Sequence, residues 1–313
     1  MPIIDLHTHS DVSAIPKGSV IVLGYFDGVH LGHRALFDEA KKLAAEGGIP
    51  VCVWTFEKSW KDEAGANELT LNFEKHTLFA QCNIDYEIVE SFDSLKDIDG
   101  ATFFEDYIQR KHSPSAVVCG FNFTFGKGAS CTSDDLGKMA ESHGIACSIV
   151  PEQRIEGERV SSSRIRKLIK DGCVEEANRL LGSPYSITSI IEHGVQIGRK
   201  MGVRTINQRL PKSKVCPKYG VYCCSVTLHK KSGEFTYGGV CNIGSRPTVN
   251  TDASDITLET HIFDFDGEIY GKCATVKLYT MLREEKKFAD IDSLRSAIEQ
   301  DATRAKELLK NIL

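Results

Sequence analysis

The chain has 313 residues, 41% of them hydrophobic, and a formal net charge of −5 from 38 basic and 43 acidic side chains. That length suits about two domains with cores of their own, and the interspersed charge excludes a general nucleic-acid or membrane surface while leaving room for local phosphate sites. No basic stretch followed by an apolar core opens the sequence, and no apolar run reaches the length of a membrane span. The 11 cysteines include no Cys-x-x-Cys, so they read as thiols in a reducing cytoplasm, not as a disulfide framework or zinc site.

In chain order, Val20–Leu23 is an apolar run of strand length, and residues 34–40 have the pattern of a first helical turn. Between them stands Gly24-Tyr25-Phe26-Asp27-Gly28-Val29-His30-Leu31-Gly32-His33. A strand running into a helix N-terminus presents unpaired N–H groups and the positive end of the helix dipole, which suits phosphate. Glycines let the backbone approach a ligand closely, and imidazoles donate hydrogen bonds to phosphate oxygens whose charge grows in a transition state. Gly24, Phe26, Asp27, Gly32, His30 and His33 are therefore candidate site residues.

Val51–Phe56 predicts a strand, residues 73–80 and 103–110 amphipathic helices, and residues 116–119 and 147–150 further short strands. Alternation of this kind predicts a parallel sheet covered by helices, with ligands at the carboxyl ends of the strands. Gly120-Phe121-Asn122-Phe123 follows one such strand. Its alternating phenylalanines suit either a ring-binding frame or a strand end with one apolar face; Asn122 is the candidate hydrogen-bonding group. Ser161-Ser162-Ser163-Arg164-Ile165-Arg166 precedes a helix. One serine suffices for an N-cap, so the further hydroxyls and guanidiniums of Ser162, Ser163, Arg164 and Arg166 point to a triphosphate.

The pattern changes near Gly182-Ser183-Pro184. Strand-like runs at 185–193, 221–228, 235–240, 258–263 and 274–282, separated by turn signals, predict a β-barrel or sandwich. A last helix over 291–313 offers Leu294, Ile298, Ala305, Leu308 and Leu309 to one face. Residues 193–202 are glycine-rich and basic, which makes Gly198, Arg199 and Gly202 candidates for a second ATP site. Thr205 and Asn207, two apart in an extended segment, face one side and suit one magnesium ion. Glu259, in an alternating strand, is placed to take a proton from a substrate hydroxyl. Residues 242–248 read as a loop near that site or as a simple turn.

This ordered set resembles the bacterial bifunctional riboflavin kinase/FAD synthetases, and Gly24–His33 alone resembles the nucleotidyltransferase signature. The similarity continues through Leu180-Leu181-Gly182-Ser183-Pro184-Tyr185, Gly220-Val221-Tyr222, Asn242-Ile243-Gly244-Ser245-Arg246-Pro247-Thr248, Glu259-Thr260-His261-Ile262, Tyr270-Gly271 and Leu282-Arg283-Glu284-Glu285-Lys286-Lys287-Phe288. The resemblance implies an α/β Rossmann-like FMN adenylyltransferase domain at 1–183, and a mostly β riboflavin kinase barrel with a C-terminal helix at 184–313. It implies His30 and His33 on the ATP phosphates, Asn122 on the nucleotide or FMN, Glu259 as kinase base, Thr205 and Asn207 on Mg²⁺, and Arg283 near the flavin. ATP is then co-substrate and FMN and FAD are substrate and product. The expected partners are small molecules, with no nucleic acid or membrane, and the chain is expected to be a cytoplasmic monomer or weak homo-oligomer.

Three segments depart from the family pattern. Thr55-Phe56-Glu57-Lys58-Ser59-Trp60 lacks both prolines and the histidine, which implies either a more mobile loop or Lys58 as a substitute phosphate contact. Arg204 stands where the kinase motif has proline, and Gly126-Lys127-Gly128-Ala129-Ser130-Cys131 has fewer glycines. Arg204 motivates a second reading, an adenylyltransferase whose barrel only binds flavin or regulates. Asp5-Leu6-His7-Thr8-His9 has the look of a metal-dependent phosphoesterase opening; the simpler reading is a polar extension.

Overall fold

The structure is a computed structural model that describes residues 1, 3–5, 16–56, 68–193, 205–230, 233–245 and 256–313. The chain divides into two compact units, Met1–Ser162 and Ser163–Leu313.

The first unit is built on a parallel sheet in the order β1 (Ile3–Asp5), β4 (Tyr86–Glu90), β3 (Val51–Phe56), β2 (Val20–Leu23), β5 (Ala116–Gly120) and β8 (Ala146–Val150). Val20, Ile21 and Val22 are wholly buried because helices cover both faces. Ile21, Leu23, Cys52 and Trp54 meet Phe103, Phe104 and Ile108 of α3 (Phe103–His112) and Leu136 and Ala140 of α4 (Ser133–Ser142). Val20, Val22, Val51 and Val53 meet Leu36, Phe37, Ala40 and Ala44 of α1 (Leu31–Gly47) and Phe79 of α2 (Asn72–Gln81). Gly48, at φ 61°, ends α1 in the left-handed conformation that glycine adopts at least cost. The chain leaves β2 for β3 on one side and returns to β5 on the other, so the strand order reverses at β2. That reversal opens a crevice at the carboxyl ends of β2 and β5.

The expected helix over 103–110 is present with widened turns, Ser113 N–H reaching Ile108 C=O five residues back at 3.1 Å. Strand β4 is not evident from hydropathy because it carries acids. Glu87 and Glu90 are 3% and 7% exposed, and each is held by a cation or imidazole, His76 at 3.0 Å and Lys111 at 3.1 Å. Short pairs β6 (Thr124–Phe125) with β7 (Cys131–Thr132), and β9 (Arg154–Ile155) with β10 (Glu158–Arg159), decorate the same unit.

The second unit contains a closed antiparallel barrel in the order β11 (Tyr185–Glu192), β12 (Thr205–Arg209), β15 (Ile256–Ile262), β14 (Gly233–Ser245), β13 (Gly220–Lys230), β16 (Cys273–Glu284). Closure removes exposed edges. Tyr222, Cys224, Cys241, Leu258 and Thr260, all 0% exposed, alternate with outward-facing neighbours. The residues expected as the loop over 242–248 continue β14 as far as Ser245, and 246–248 lie outside the described residues. Helix α5 (Ser162–Asp171) begins at the division, and α6 (Val174–Leu181) follows it. Asn178 of α6 donates to Leu278 C=O at 2.8 Å and accepts from Tyr185 N–H at 2.7 Å, which ties α6 to two barrel strands. Helix α7 (Ile291–Leu309), N-capped by Asp290, sets Ala305 and Leu309 on Val221, Cys223 and Phe263.

Candidate active sites

In the first unit the loop from Gly24 to His30 is shaped by its backbone. Phe26, Gly28 and Val29 have φ of 56°, 86° and 42°. A β-branched residue at positive φ is a strained conformation costing of order 1–3 kcal/mol, and such strain concentrates at functional sites. Here tertiary ties hold it. The Asp27 carboxylate, 3% exposed, accepts from Leu69 N–H at 2.9 Å and Thr70 N–H at 3.0 Å. Gly28 N–H donates to Thr70 Oγ1 at 2.9 Å, and Asp27 C=O accepts from Ser162 Oγ at 3.0 Å. Asp27 thus acts through the loop's shape. Phe26 is buried behind the loop, packed on Phe37 and Phe79, with its ring 5.3 Å from His33. Gly24 exists to admit that ring, since a Cβ there would lie 2.7 Å from Phe26 Cζ.

His30 is the N-cap of α1, in extended conformation, with Nδ1 accepting from His33 N–H at 3.3 Å. With Nδ1 used as acceptor, the neutral ring carries its proton on Nε2, which is then a donor. The two imidazoles stack at 3.6 Å, a spacing that disfavours two positive charges. Burial, His30 and Lys75 together hold the His33 pKa well below its ordinary value of 6.5, so His33 is a neutral donor at physiological pH. Its Nδ1 is buried without a hydrogen-bond partner among the described residues. A Cβ at Gly32 would meet His30 Cε1 at 3.0 Å, so glycine lets the imidazole lie across the helix start.

Asn122 lies exposed in the turn after β5, at the opposite side of the crevice. Phe125 is buried in the core while Phe121 is 41% exposed, which divides the expected aromatic frame between packing and surface. Ser163, Arg164 and Arg166 follow Ser162 on α5, in the second unit. Sequence reasoning missed Lys75 of α2, which is 1% exposed, with its ammonium 4.4 Å from the Tyr25 ring centroid and 3.4 Å from Phe56 C=O. No hydropathy signal marks a buried lysine.

In the barrel, strand register brings distant predictions together. Asn207 pairs with Glu259, Glu259 with Asn242, Asn242 with Val221, and Val221 with Arg283. Directly paired residues share a face, so Asn207, Glu259, Asn242, Val221 and Arg283 form one row on the outer face of the barrel wall, in which Asn207 and Val221 are buried, and Thr205 lies two residues along it, opposite His261. Arg283 is fixed by Asp301 of α7, which is 8% exposed and accepts from Nε and Nη2 at 2.9 Å each. Phe288 stacks under the guanidinium at 5.4 Å. Asp301 is the second residue that sequence reasoning missed; a carboxylate among the apolar positions of a terminal helix was the available signal. Gly198, Arg199, Gly202, Arg204, Lys58, His7 and His9 lie outside the described residues.

Comparison with known proteins gives a family for each part of the chain. The FAD synthetase family model matches residues 12–164 and the riboflavin kinase family model residues 181–309. A bifunctional riboflavin kinase/FMN adenylyltransferase of Bacillus subtilis is 34% identical over 98% of this chain and 97% of its own length. The Escherichia coli K12 protein of the same name is 31% identical over 96% and 95%. The crystal structure of a macrolide-efflux protein from Streptococcus pneumoniae superposes with a TM-score of 0.85 at 29% identity, covering 97% of this chain and 98% of that one. Among the described residues no helix is long and apolar enough to cross a membrane. With relatives above 30% identity along nearly its whole length, and a family model matched in each unit, the chain belongs to the bifunctional riboflavin kinase/FMN adenylyltransferase family.

Proposed function

We propose that the two transferase activities of this family are divided between the two constellations: FMN adenylylation at the crevice beside β2, and riboflavin phosphorylation along the outer row of the barrel. The observation that supports the division is the strand register, which pairs Asn207 with Glu259 and continues through Asn242 and Val221 to Arg283, in a unit separate from His30 and His33. The functional boundary in this reading is at 183/184, after α6.

In adenylyl transfer, an FMN phosphate oxygen attacks the α-phosphorus of ATP and pyrophosphate leaves. The nucleophile is already ionised, so no protein base is required. His30 Nε2–H and neutral His33 donate to phosphate oxygens as charge builds on them, from a helix N-terminus that adds its own N–H groups. Asn122 orients the nucleotide or flavin, Ser162 ties the loop, and Ser163, Arg164 and Arg166 are assigned to the triphosphate. In the kinase reaction Glu259 takes the proton of the ribityl 5′-hydroxyl as that oxygen attacks the γ-phosphorus, and Arg283 positions the flavin. The Thr205 hydroxyl and Asn207 amide are hard neutral oxygen donors on one face, which fits Mg²⁺ shared with phosphate and water. Bound there, magnesium supplies neutralising charge to the phosphates. Gly198, Arg199 and Gly202 complete the ATP site in this reading. The protein works in the cytoplasm on small molecules alone, as a monomer or weak homo-oligomer.

Product chromatography on the intact chain with ATP and Mg²⁺ tests the division. His30→Ala is expected to abolish FAD formation from FMN and to spare FMN formation from riboflavin; Glu259→Ala is expected to do the reverse. Retained FAD synthesis in His30→Ala overturns the first assignment. Absence of FMN formation in the wild type would leave a barrel that binds flavin only, the outcome that Arg204 in place of proline motivates.

A further inference from the structure

Lysine is almost never wholly buried unless its charge is paired, so a buried one marks a place where positive charge is held by design. Lys75 is among the largest fully buried side chains of the first unit, at 1% exposure. Its place is specific. Helix α2 starts directly after Leu69 and Thr70, the residues that Asp27 holds. Its ammonium therefore comes to the carboxyl ends of β2 and β3, against the ring of Tyr25, the second residue after β2, and the carbonyl of Phe56, the last residue of β3. Tyr25 and Phe26 open the strained loop that ends at His30, and the Phe26 ring touches His33 edge-on.

We propose that Lys75 is a positioning residue for adenylyl transfer: its buried ammonium, fixed beneath the strand ends, supplies a preorganised positive potential to the phosphate site at His30 and His33. The inference rests on the assignment of His30 and His33 to the ATP phosphates. A buried cation acts there through low dielectric without reorganising as charge develops. It also answers a problem set by the stacked histidines. A protonated His33 would face His30 at 3.6 Å; its pKa is held down first by burial, then by His30 and by the charge of Lys75, which also acts on the buried Glu87 carboxylate. Neutral imidazole donors serve elsewhere as electrophiles where an imidazolium would give up its proton.

The test uses Lys75→Met and Lys75→Arg in the full chain. The kcat and KM for FAD formation from FMN and ATP are followed from pH 5.5 to 8.5, with riboflavin phosphorylation as an internal control. Lys75→Met is expected to lower kcat for FAD formation about tenfold, with FMN formation unchanged. The acid limb of its pH profile should move up, by less than the shift that burial and His30 still impose, and Lys75→Arg should restore both. A Lys75→Met enzyme with wild-type kcat and pH profile overturns the proposal. So does histidine NMR of the wild-type chain showing His33 titrating near its ordinary value, a readout that stands even if Lys75→Met fails to fold. Retained FAD synthesis in His30→Ala would instead remove the site assignment beneath the proposal, so the two failures are distinguishable.

Discussion

At the scale of single residues, the first site depends on a side chain that is absent. Gly24 leaves the space filled by the Phe26 ring, and that ring backs His33. Gly24→Ala forces a Cβ within 2.7 Å of Phe26 Cζ. The ring is locked between Phe37 and Phe79, so it does not yield freely, and overpacking of this kind costs about 1–3 kcal/mol. The expected outcome is a lower thermal midpoint for the first unit and several-fold slower FAD formation, with riboflavin phosphorylation unchanged. An unchanged rate of FAD formation would show that the ring has no part in placing His33. The motif around Gly24 was legible in the sequence, but the division of labour within it was not. Asp27 and Phe26 read as ligand contacts by position, whereas their hydrogen bonds and burial make them the support of His30 and His33. Only three-dimensional neighbours such as Thr70 distinguish those roles.

At the scale of elements, the sequence is most informative where one physical signal dominates. The buried strands Val20–Leu23 and Val51–Phe56 and the long barrel strands are apolar runs or clean alternations, and they occur as expected. Strand β4 is hidden because its glutamates are buried with partners from α2 and α3, a tertiary fact. Helix α4 carries the capping box Thr132 to Asp135, a readable signal overlooked among short polar residues. Strand register lies beyond hydropathy altogether, yet it is what sets Asn207 beside Glu259. Helix α7 shows the consequence for the second site. Its Asp301 holds Arg283, with side chains 11% and 23% exposed. Removing one partner of a buried pair strands the other; with partial exposure of Arg283 the loss should be about 2 kcal/mol. Asp301→Ala is therefore expected to raise the KM for riboflavin and lower the stability of the barrel unit, with FAD formation from FMN preserved. Equal KM values for wild type and variant would show that α7 serves packing alone.

At the scale of the whole molecule, each unit serves as an internal control for the other, and one buried histidine gives the first unit a pH signature. His112 ends α3, is 1% exposed, and meets the Trp54 ring edge-on at 5.0 Å. Neither of its ring nitrogens, nor Trp54 Nε1, has a partner among the described residues. Burial, reinforced by Lys111, pushes its pKa down to about 3 from 6.5. The native state therefore keeps His112 neutral where the unfolded chain protonates it. With the folded pKa depressed, the unfolded state binds more protons between pH 6.5 and about 3, so stability is full above pH 6.5 and falls as pH drops through that window. The slope approaches about 1.4 kcal/mol per pH unit, which amounts to about 2 kcal/mol lost between pH 7 and pH 5 from this group. His112→Phe keeps a ring against Trp54 and removes both nitrogens. Urea unfolding of the intact chain at pH 7 and pH 5 should then show a first-unit transition that shifts markedly less in the variant than in the wild type. Glu87, whose pKa burial raises, works in the opposite sense, and it is common to both proteins. The difference between the two shifts isolates His112. Identical shifts would mean that His112 is hydrated or paired in solution, and that the cost of its burial is met by water bridging to Trp54.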